Sequence, residues 1–315
     1  MQAITQKLLI TLALGSSVSA EAAEYLLYFL AGQSNMEGYG YVSELPREWS
    51  GRVDRALIFH GNQGEDGKAG GGEGIWAPLE PGHGTGFISD GKRNTLSDRF
   101  GPELSFGKAM AALNPNSHIA IIKYSRGGTS LLEGASGYGN WEPDSELGEG
   151  VNQYDHALAT IRNALSHSDI DHDGVTDALI PAGIVWMQGE ADAYDNPVAA
   201  RAYRDNLKRM MDLFRAALRS DDLPVVIGRI IDSGRDEDGL LMDYSPIVQQ
   251  AQIDYAATDR CASLVAIGDD ISWSDDWHYG TEAYLRLGKA FAEAAARLAL
   301  PCRVEPARVG QAKTN

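Results

Sequence analysis

The chain has 315 residues, of which 43% are hydrophobic and 23% charged, an ordinary globular composition with room for one large α/β domain or two small ones. Its 44 acidic and 27 basic residues leave a net charge of −17, so nucleic acid and anionic membrane surfaces are poor partners. Neutral or weakly charged substrates suit such a protein, and an acidic surface also keeps an exported protein soluble.

The first 20 residues have the features of a secretory signal peptide. Lys7 supplies a positive charge ahead of the apolar residues 8–14, and residues 18–20 are small enough for cleavage. The apolar run is too short to span a bilayer, for which roughly 18 residues are needed. We predict a periplasmic or secreted mature protein with no membrane association after signal removal. A retained N-terminal anchor is the alternative.

Short apolar runs alternate with amphipathic patterns along the rest of the chain. The predicted buried strands are 25–30, 119–124, 182–187, 225–231 and 264–267. The predicted helices, which carry apolar residues three and four positions apart, are 102–113, 154–166, 197–218, 246–258 and 281–298. This alternation predicts a three-layer α/β/α, doubly wound fold with a mainly parallel five-stranded sheet. We expect a single domain over residues 21–300, followed by a tail at 301–315.

Two long polar, glycine-rich stretches interrupt the alternation, at residues 61–98 and 131–150. Loops of this length are often functional, so we expect them to build a substrate cleft. Ordered insertions without a role are the alternative. Trp76, Tyr138 and Trp141 lie in these loops, either to stack on a substrate or to anchor local packing.

Ser34 follows the first predicted strand, in the segment AGQSNM (31–36). A serine at a strand's carboxyl end presents its hydroxyl where open α/β sheets place their chemistry. That hydroxyl becomes nucleophilic only when a base removes its proton.

His278, which follows the last predicted strand, is the candidate base for Ser34. Asp275 lies three positions earlier, a spacing that brings both side chains to one side of a turn, where a carboxylate can fix the imidazole tautomer. Asp276 is a rival for this orienting role.

Two other strand ends carry candidate donors for the oxyanion that forms during acyl transfer. The segment SRGGTS (125–130) offers backbone N–H groups at Gly127 and Gly128 that no side chain obstructs. Gln188, at the end of another strand, offers a side-chain amide.

Taken together, the segments GQSNM (32–36), GGTS (127–130), WMQGEAD (186–192) and D-x-x-H (275–278) resemble the motif blocks of SGNH (GDSL-type) hydrolases. The nearest branch is the carbohydrate acetylesterases, including sialate O-acetylesterase-like and acetyl xylan esterase-like proteins. The resemblance runs from about residue 25 to residue 298. Gln33 and Gln188 stand where many members of the superfamily have Asp and Asn, and both departures match this branch.

The resemblance implies a serine esterase that removes acetyl groups from carbohydrates without a catalytic cofactor. Ser34 would be the nucleophile, His278 the base and Asp275 its orienter. The implied oxyanion donors are the backbone N–H groups of Ser34 and Gly127, with Gly128 as the alternative to Gly127, and the side chain of Gln188.

Other functions remain open at this point. Glu190 and Asp192 form a carboxylate pair that suits a glycosidase, although hydrogen bonding within their loop explains them better. A non-catalytic carbohydrate-binding protein and a lipase- or thioesterase-type SGNH hydrolase are further alternatives.

Residues 169–177 resemble a calcium-binding loop of the EF-hand type. Gly174 stands at the sixth position, where a tight turn is needed, and Ile180 replaces the usual glutamate of the twelfth. The predicted ligands of a structural Ca²⁺ are Asp169, Asp171, Asp173, the Val175 carbonyl and Asp177. A solvated acidic turn is the alternative.

The two cysteines, Cys261 and Cys302, are interpreted as a disulfide of an exported protein or as two buried thiols.

Overall fold

The computed structural model describes residues 22–148 and 150–302 of the chain. The predicted signal peptide (1–20) and residues 303–315 of the predicted tail lie outside this part. The strands are β1 (Glu24–Gly32), β2 (Gly40–Tyr41), β3 (Ala56–His60), β4 (Trp76–Pro78), β5 (Ile88–Ser89), β6 (Asn94–Thr95), β7 (Arg99–Phe100), β8 (His118–Ser125), β9 (Ala178–Met187), β10 (Val225–Gly228) and β11 (Ala262–Val265). The helices are α1 (Ser34–Glu37), α2 (Glu103–Leu113), α3 (Gln153–Leu165), α4 (Glu190–Ala193), α5 (Pro197–Ala217), α6 (Ser245–Thr258) and α7 (Thr281–Cys302).

The central sheet has seven strands in the order β11-β10-β9-β1-β8-β3-β4. All neighbours pair in parallel except β4, which runs antiparallel to β3 at the edge. The doubly wound, mainly parallel fold is thus confirmed, but the sheet has seven strands rather than the predicted five. The missed strands are β3 and β4; β4 is only three residues long and ends in Pro78, a residue that sheets tolerate at their edges.

Strand β1 forms the centre of three layers. Residues 25–31 are at most 8% exposed, as expected for a strand covered on both faces. Tyr28 contacts Phe106 of α2, whereas the next residue, Phe29, contacts Phe214 of α5. Because successive strand residues point to opposite faces, α2 and α5 cover opposite sides of the sheet. Helix α7 packs beside α2, and α6 beside α5.

The sheet order places a topological switch point at β1. Its neighbours β8 and β9 are consecutive among the central strands of the chain yet lie on opposite sides of β1. Ligands of such sheets bind outside the carboxyl ends of the strands at this point. Gly32 pairs with Ser125 on one side and with Met187 on the other, so the segments after β1, β8 and β9 begin at the same level.

A disulfide joins Cys261, just before β11, to Cys302 at the end of α7, with the Cα atoms 5.6 Å apart. The sequence left open a disulfide or two buried thiols, and the structure contains the disulfide. Among the described helices, none is both long and apolar enough to cross a membrane.

Candidate active site

The turn that carries Ser34 begins where β1 meets β9. Gly32 has φ +146°, and a Cβ at this position would overlap the Met187 carbonyl, so only glycine fits. The carbonyl of Gln33 then accepts hydrogen bonds from the N–H groups of Met36 and Glu37, which starts the one-turn helix α1 at Ser34. Ser34 is 6% exposed, and neither its N–H nor its hydroxyl is hydrogen-bonded to any described residue. Both groups of Ser34 are therefore available to a substrate.

Asn35 ties this turn to the far end of the chain. Its Nδ2 donates to the Trp277 carbonyl at 3.2 Å, and its Oδ1 accepts from the Tyr279 N–H at 3.3 Å. These two bonds flank His278, so a fully buried amide fixes the histidine loop beside the serine turn.

The Asp275–His278 pair has the predicted geometry. Asp275 Oδ2 lies 2.7 Å from His278 Nδ1, and its Oδ1 accepts the N–H groups of Trp277 and His278, each at 2.8 Å. Burial raises the pKa of Asp275, but these hydrogen bonds outweigh it, so the pKa lies below its usual range. An ionised Asp275 places the proton on Nδ1 and leaves Nε2 as the basic nitrogen. The rival Asp276 pairs instead with Arg235 at 3.2 Å.

The ring of Tyr39 stacks on the His278 imidazole, with centroids 3.5 Å apart and planes 2° from parallel. The backbone carbonyl of Tyr39 accepts a hydrogen bond from Arg99 at 2.8 Å, which helps to hold Tyr39 in place. Burial and the nearby Glu37 carboxylate raise the pKa of the Tyr39 hydroxyl. Sequence reasoning missed Tyr39 because its contact with His278 joins positions at opposite ends of the chain.

Gly127 lies against Ser34. A Cβ added to Gly127 would be 3.3 Å from Ser34 Cβ. Its N–H, however, donates to Glu37 Oε2 at 2.9 Å. Gly128 follows with φ +72°, a conformation that favours glycine, and its N–H is not hydrogen-bonded within the described chain. Of the two glycines, the N–H of Gly128 is therefore the unoccupied donor.

The Gln188 amide is engaged within the protein. Its Nε2 donates to Asp192 Oδ2 at 2.6 Å and to the Thr129 carbonyl at 3.0 Å, while its Oε1 is buried without a partner. Both hydrogens of the amide are thus used in this conformation, which departs from the expectation of a free donor. The physical reason is the fully buried Asp192 carboxylate, which requires donors.

The carboxylates of Glu190 and Asp192 hold neighbouring segments in place. Asp192 accepts the Leu131 N–H at 2.9 Å, and burial raises its pKa to about 7 against the opposing effect of its hydrogen bonds. Glu190 accepts Asn35 Nδ2 at 2.7 Å, and burial raises its pKa as well. Each carboxylate holds a neighbouring segment by hydrogen bonds, as the loop-holding interpretation expects, which leaves the glycosidase alternative without support.

A buried ion pair under the site was not foreseen. Lys123 on β8 and Glu103 on α2 are both fully buried, with Nζ and Oε2 2.7 Å apart. Lys123 Nζ also donates to the backbone carbonyls of Glu37, at 2.9 Å, and His83, at 2.7 Å. Burial lowers the pKa of Lys123, while Glu103 opposes this. The sequence signal was a single lysine inside an apolar strand, IAIIKYS, at residues 119–125.

Trp76, Tyr138 and Trp141, the candidate aromatic residues for substrate stacking, separate into two groups. Trp76 and Trp141 are 3% and 0% exposed, and their indole N–H groups donate to Ala164 O and Thr129 Oγ1, so both anchor packing rather than face a cleft. Tyr138 is 70% exposed and lies against Gly128. Of these three residues, Tyr138 is the exposed one.

The acidic loop lies between α3 and β9. Carboxylate oxygens of Asp169, Asp171 and Asp177 come within 4.8 Å of one another. Asp173 instead accepts the Val175 N–H at 2.8 Å. One oxygen of Asp169 is buried without a hydrogen-bond partner, which suits a cation ligand. Three of the five predicted ligands are thus brought together.

Residues 24–297 match the protein family described as carbohydrate esterase, sialic acid-specific acetylesterase. No curated protein matches the chain. Among solved structures, the chain is similar to a protein from Arabidopsis thaliana, AT4G34215, with a TM-score of 0.62 at 19% identity over 88% of this chain and 99% of that one. XAC1771, a carbohydrate acetylesterase from Xanthomonas citri, aligns with a TM-score of 0.60 at 16% identity over 87% of this chain and 57% of that one.

NanS aligns with a TM-score of 0.57 at 15% identity, over 88% of this chain and 98% of NanS. At such identities these similarities show a shared fold, whereas the family match spans nearly all of the described residues. The chain is a carboxylic ester hydrolase that belongs to the carbohydrate esterase family of sialic acid-specific acetylesterases.

Proposed function

We propose that this esterase removes O-acetyl groups from carbohydrates through a triad of Ser34, His278 and Asp275. One observation carries the proposal: Asn35, in the Ser34 turn, donates to the Trp277 carbonyl and accepts the Tyr279 N–H, which fixes the Asp275–His278 pair beside that turn. No hydrogen bond joins Ser34 Oγ to His278 among the described contacts. Such bonds are often loose in the resting state and tighten when substrate binds.

In the first half-reaction, Ser34 Oγ attacks the acetyl carbonyl while His278 Nε2 takes the hydroxyl proton. Asp275 stabilises the resulting imidazolium. The tetrahedral intermediate collapses when His278 protonates the leaving sugar oxygen, and acetyl-Ser34 remains. In the second half-reaction, His278 deprotonates a water molecule that attacks the acetyl group, and Ser34 leaves with the proton returned to it.

The oxyanion requires preorganised N–H donors. The free N–H of Ser34 is one, and the glycine pair of the 126–130 loop supplies another. Gln188 completes the set if its Nε2 exchanges the bond to the Thr129 carbonyl for the substrate oxygen. Its second hydrogen stays bound to Asp192, which keeps the amide in place.

We propose an acetylated glycan as the substrate, with acetylated sialic acid, acetylated xylan and simple acetylated sugars as candidates. Tyr138 supports a sugar-binding role because it is exposed beside Gly128 and its carbonyl is held by Arg126 at 3.1 Å. An acetate-release screen across these three substrate types identifies the sugar. A preference for long-chain acyl esters over all of them would favour the lipase-type alternative.

The central test is Ser34→Ala. We expect the variant to lose release of p-nitrophenol from p-nitrophenyl acetate by a factor of at least about 10³ and to lose labelling by a fluorophosphonate probe, with unchanged thermal unfolding. Full activity in Ser34→Ala would remove Ser34 from the mechanism. Absence of labelling in the wild-type protein would favour a non-catalytic carbohydrate-binding protein.

We also propose a structural Ca²⁺ at residues 169–177, supported by the three clustered carboxylates and the unpartnered oxygen of Asp169. The ion would brace the connection between α3 and β9. A periplasmic or secreted location agrees with such a site, since exported proteins meet more calcium, and fractionation of expressing cells tests that location.

A further inference from the structure

The N–H of Gly127, a predicted oxyanion donor, is bound by the side chain of Glu37. Glu37 is three residues after Ser34 and is 5% exposed, and its Oε2 accepts the Gly127 N–H at 2.9 Å. A carboxylate and an oxyanion are both negative, so one N–H cannot serve both at once. While Glu37 holds this bond, Gly127 is not the donor to the substrate.

Glu37 is itself fixed from the other side. Its backbone carbonyl accepts a hydrogen bond from Lys123 Nζ at 2.9 Å, and Lys123 is anchored by the fully buried Glu103. The main chain of Glu37 is therefore held by the sheet, and its side chain reaches across to the loop after β8. This forms a continuous connection between the Ser34 turn and the 126–130 loop.

We propose that Glu37 is a positioning residue, which binds the Gly127 N–H so that the 126–130 loop presents the free N–H of Gly128 to the oxyanion. The inference rests on the proposed esterase mechanism and deepens it. It assigns the donor to the second glycine of the pair and gives the first a structural role. The acidic residue at 37 then acts through the loop without touching the substrate.

The test compares three variants of the full chain. Glu37→Gln retains an oxygen that accepts the Gly127 N–H, so we expect a kcat within about threefold of wild type. Glu37→Met keeps the length of the side chain but removes the acceptor, and Glu37→Asp withdraws the carboxylate by one methylene. For both of these we expect kcat for p-nitrophenyl acetate to fall about 10- to 100-fold while KM changes less than about threefold, because the oxyanion interaction forms in the transition state.

An increased kcat in Glu37→Met would overturn the proposal, since it would mean that the carboxylate blocks the oxyanion site instead of organising it. Unchanged kinetics in both Glu37→Met and Glu37→Asp would overturn it as well. If Glu37→Met does not fold, Glu37→Asp carries the same expectation with a smaller change in the protein.

Amide hydrogen exchange, measured by NMR, tests the bond independently of activity. We expect the Gly127 amide to be protected in wild type and in Glu37→Gln and to exchange faster in Glu37→Met. Lack of protection in wild type would overturn the proposal. Absence of hydrolysis in all proteins, with Gly127 protected, would instead contradict the proposed esterase mechanism and leave the Glu37–Gly127 bond confirmed.

Discussion

Two acidic motifs lie near opposite ends of β1 and are built in different ways. At the start of the strand, Tyr25 donates to Asp171 of the 169–177 loop at 3.1 Å. Beyond the other end, Asn35, the residue after Ser34, is hydrogen-bonded to both chain neighbours of His278. The first motif is nine residues long and makes most of its hydrogen bonds to itself. The second depends on partners about 240 residues away in the sequence.

The difference shows two ways to place a carboxylate. Side chains of the 169–177 loop accept backbone N–H groups of the same loop, so short sequence spacing sets their positions. Asp275 also accepts two N–H groups of its own turn. Asn35 then joins this turn to the turn that carries Ser34. Local hydrogen bonds shape both motifs, and tertiary contacts join the second to the turn that carries Ser34.

The largest effect is expected at the orienting carboxylate. Asp275→Asn should lower kcat about 10²- to 10⁴-fold, because an amide at this position no longer fixes the proton on Nδ1 of His278. Esterase kinetics on p-nitrophenyl acetate measure the loss. The matched control is Asp276→Asn, which should stay within about twofold of wild type; equal losses in the two variants would end the assignment of Asp275.

Replacement of the buried Lys123 tests how strongly this end of the sheet depends on tertiary contacts. Lys123→Met should lower the free energy of unfolding by about 3–5 kcal/mol, because it leaves the buried Glu103 without its partner. The control is Lys208→Met, which breaks an exposed pair with Asp212 and should cost at most about 0.5 kcal/mol. Urea unfolding measures both, and similar values would show that the buried pair has no special importance.

Calcium should stabilise the protein through the 169–177 loop. At a concentration one hundred times its Kd, Ca²⁺ stabilises the folded state by about 2.7 kcal/mol, which raises the melting temperature of wild type. Asp169→Asn should lose this increase, whereas Asp221→Asn, at an exposed position, should keep it. A melting temperature that responds to neither Ca²⁺ nor EDTA would defeat the calcium proposal.

The smallest effect is expected from the aromatic partner of His278. Tyr39→Leu should lower kcat about 3- to 10-fold, the size expected when one aromatic stacking contact is lost. Tyr39→Phe keeps the ring and should retain most of the activity. If the two variants lose activity equally, the hydroxyl of Tyr39 matters and the stacking does not.

The sequence by itself determined the alternating elements, the serine at a strand end, the Asp275–His278 spacing and the acidic loop. These features depend on residue types at short separations: apolar periodicity for strands and helices, glycine where φ is positive, and a three-residue gap between acid and base. For the same reason, the ends of the predicted elements agree with the structure to within four residues.

Only the tertiary structure decided which donors of the site are free. Whether Gly127 binds Glu37, whether Gln188 binds the Thr129 carbonyl, and whether Tyr39 covers His278 depend on contacts between segments far apart in the chain. Residue type gives each group its capacity to donate or accept a hydrogen bond. Burial then requires each polar group to find a partner, and the fold determines which partners are within reach.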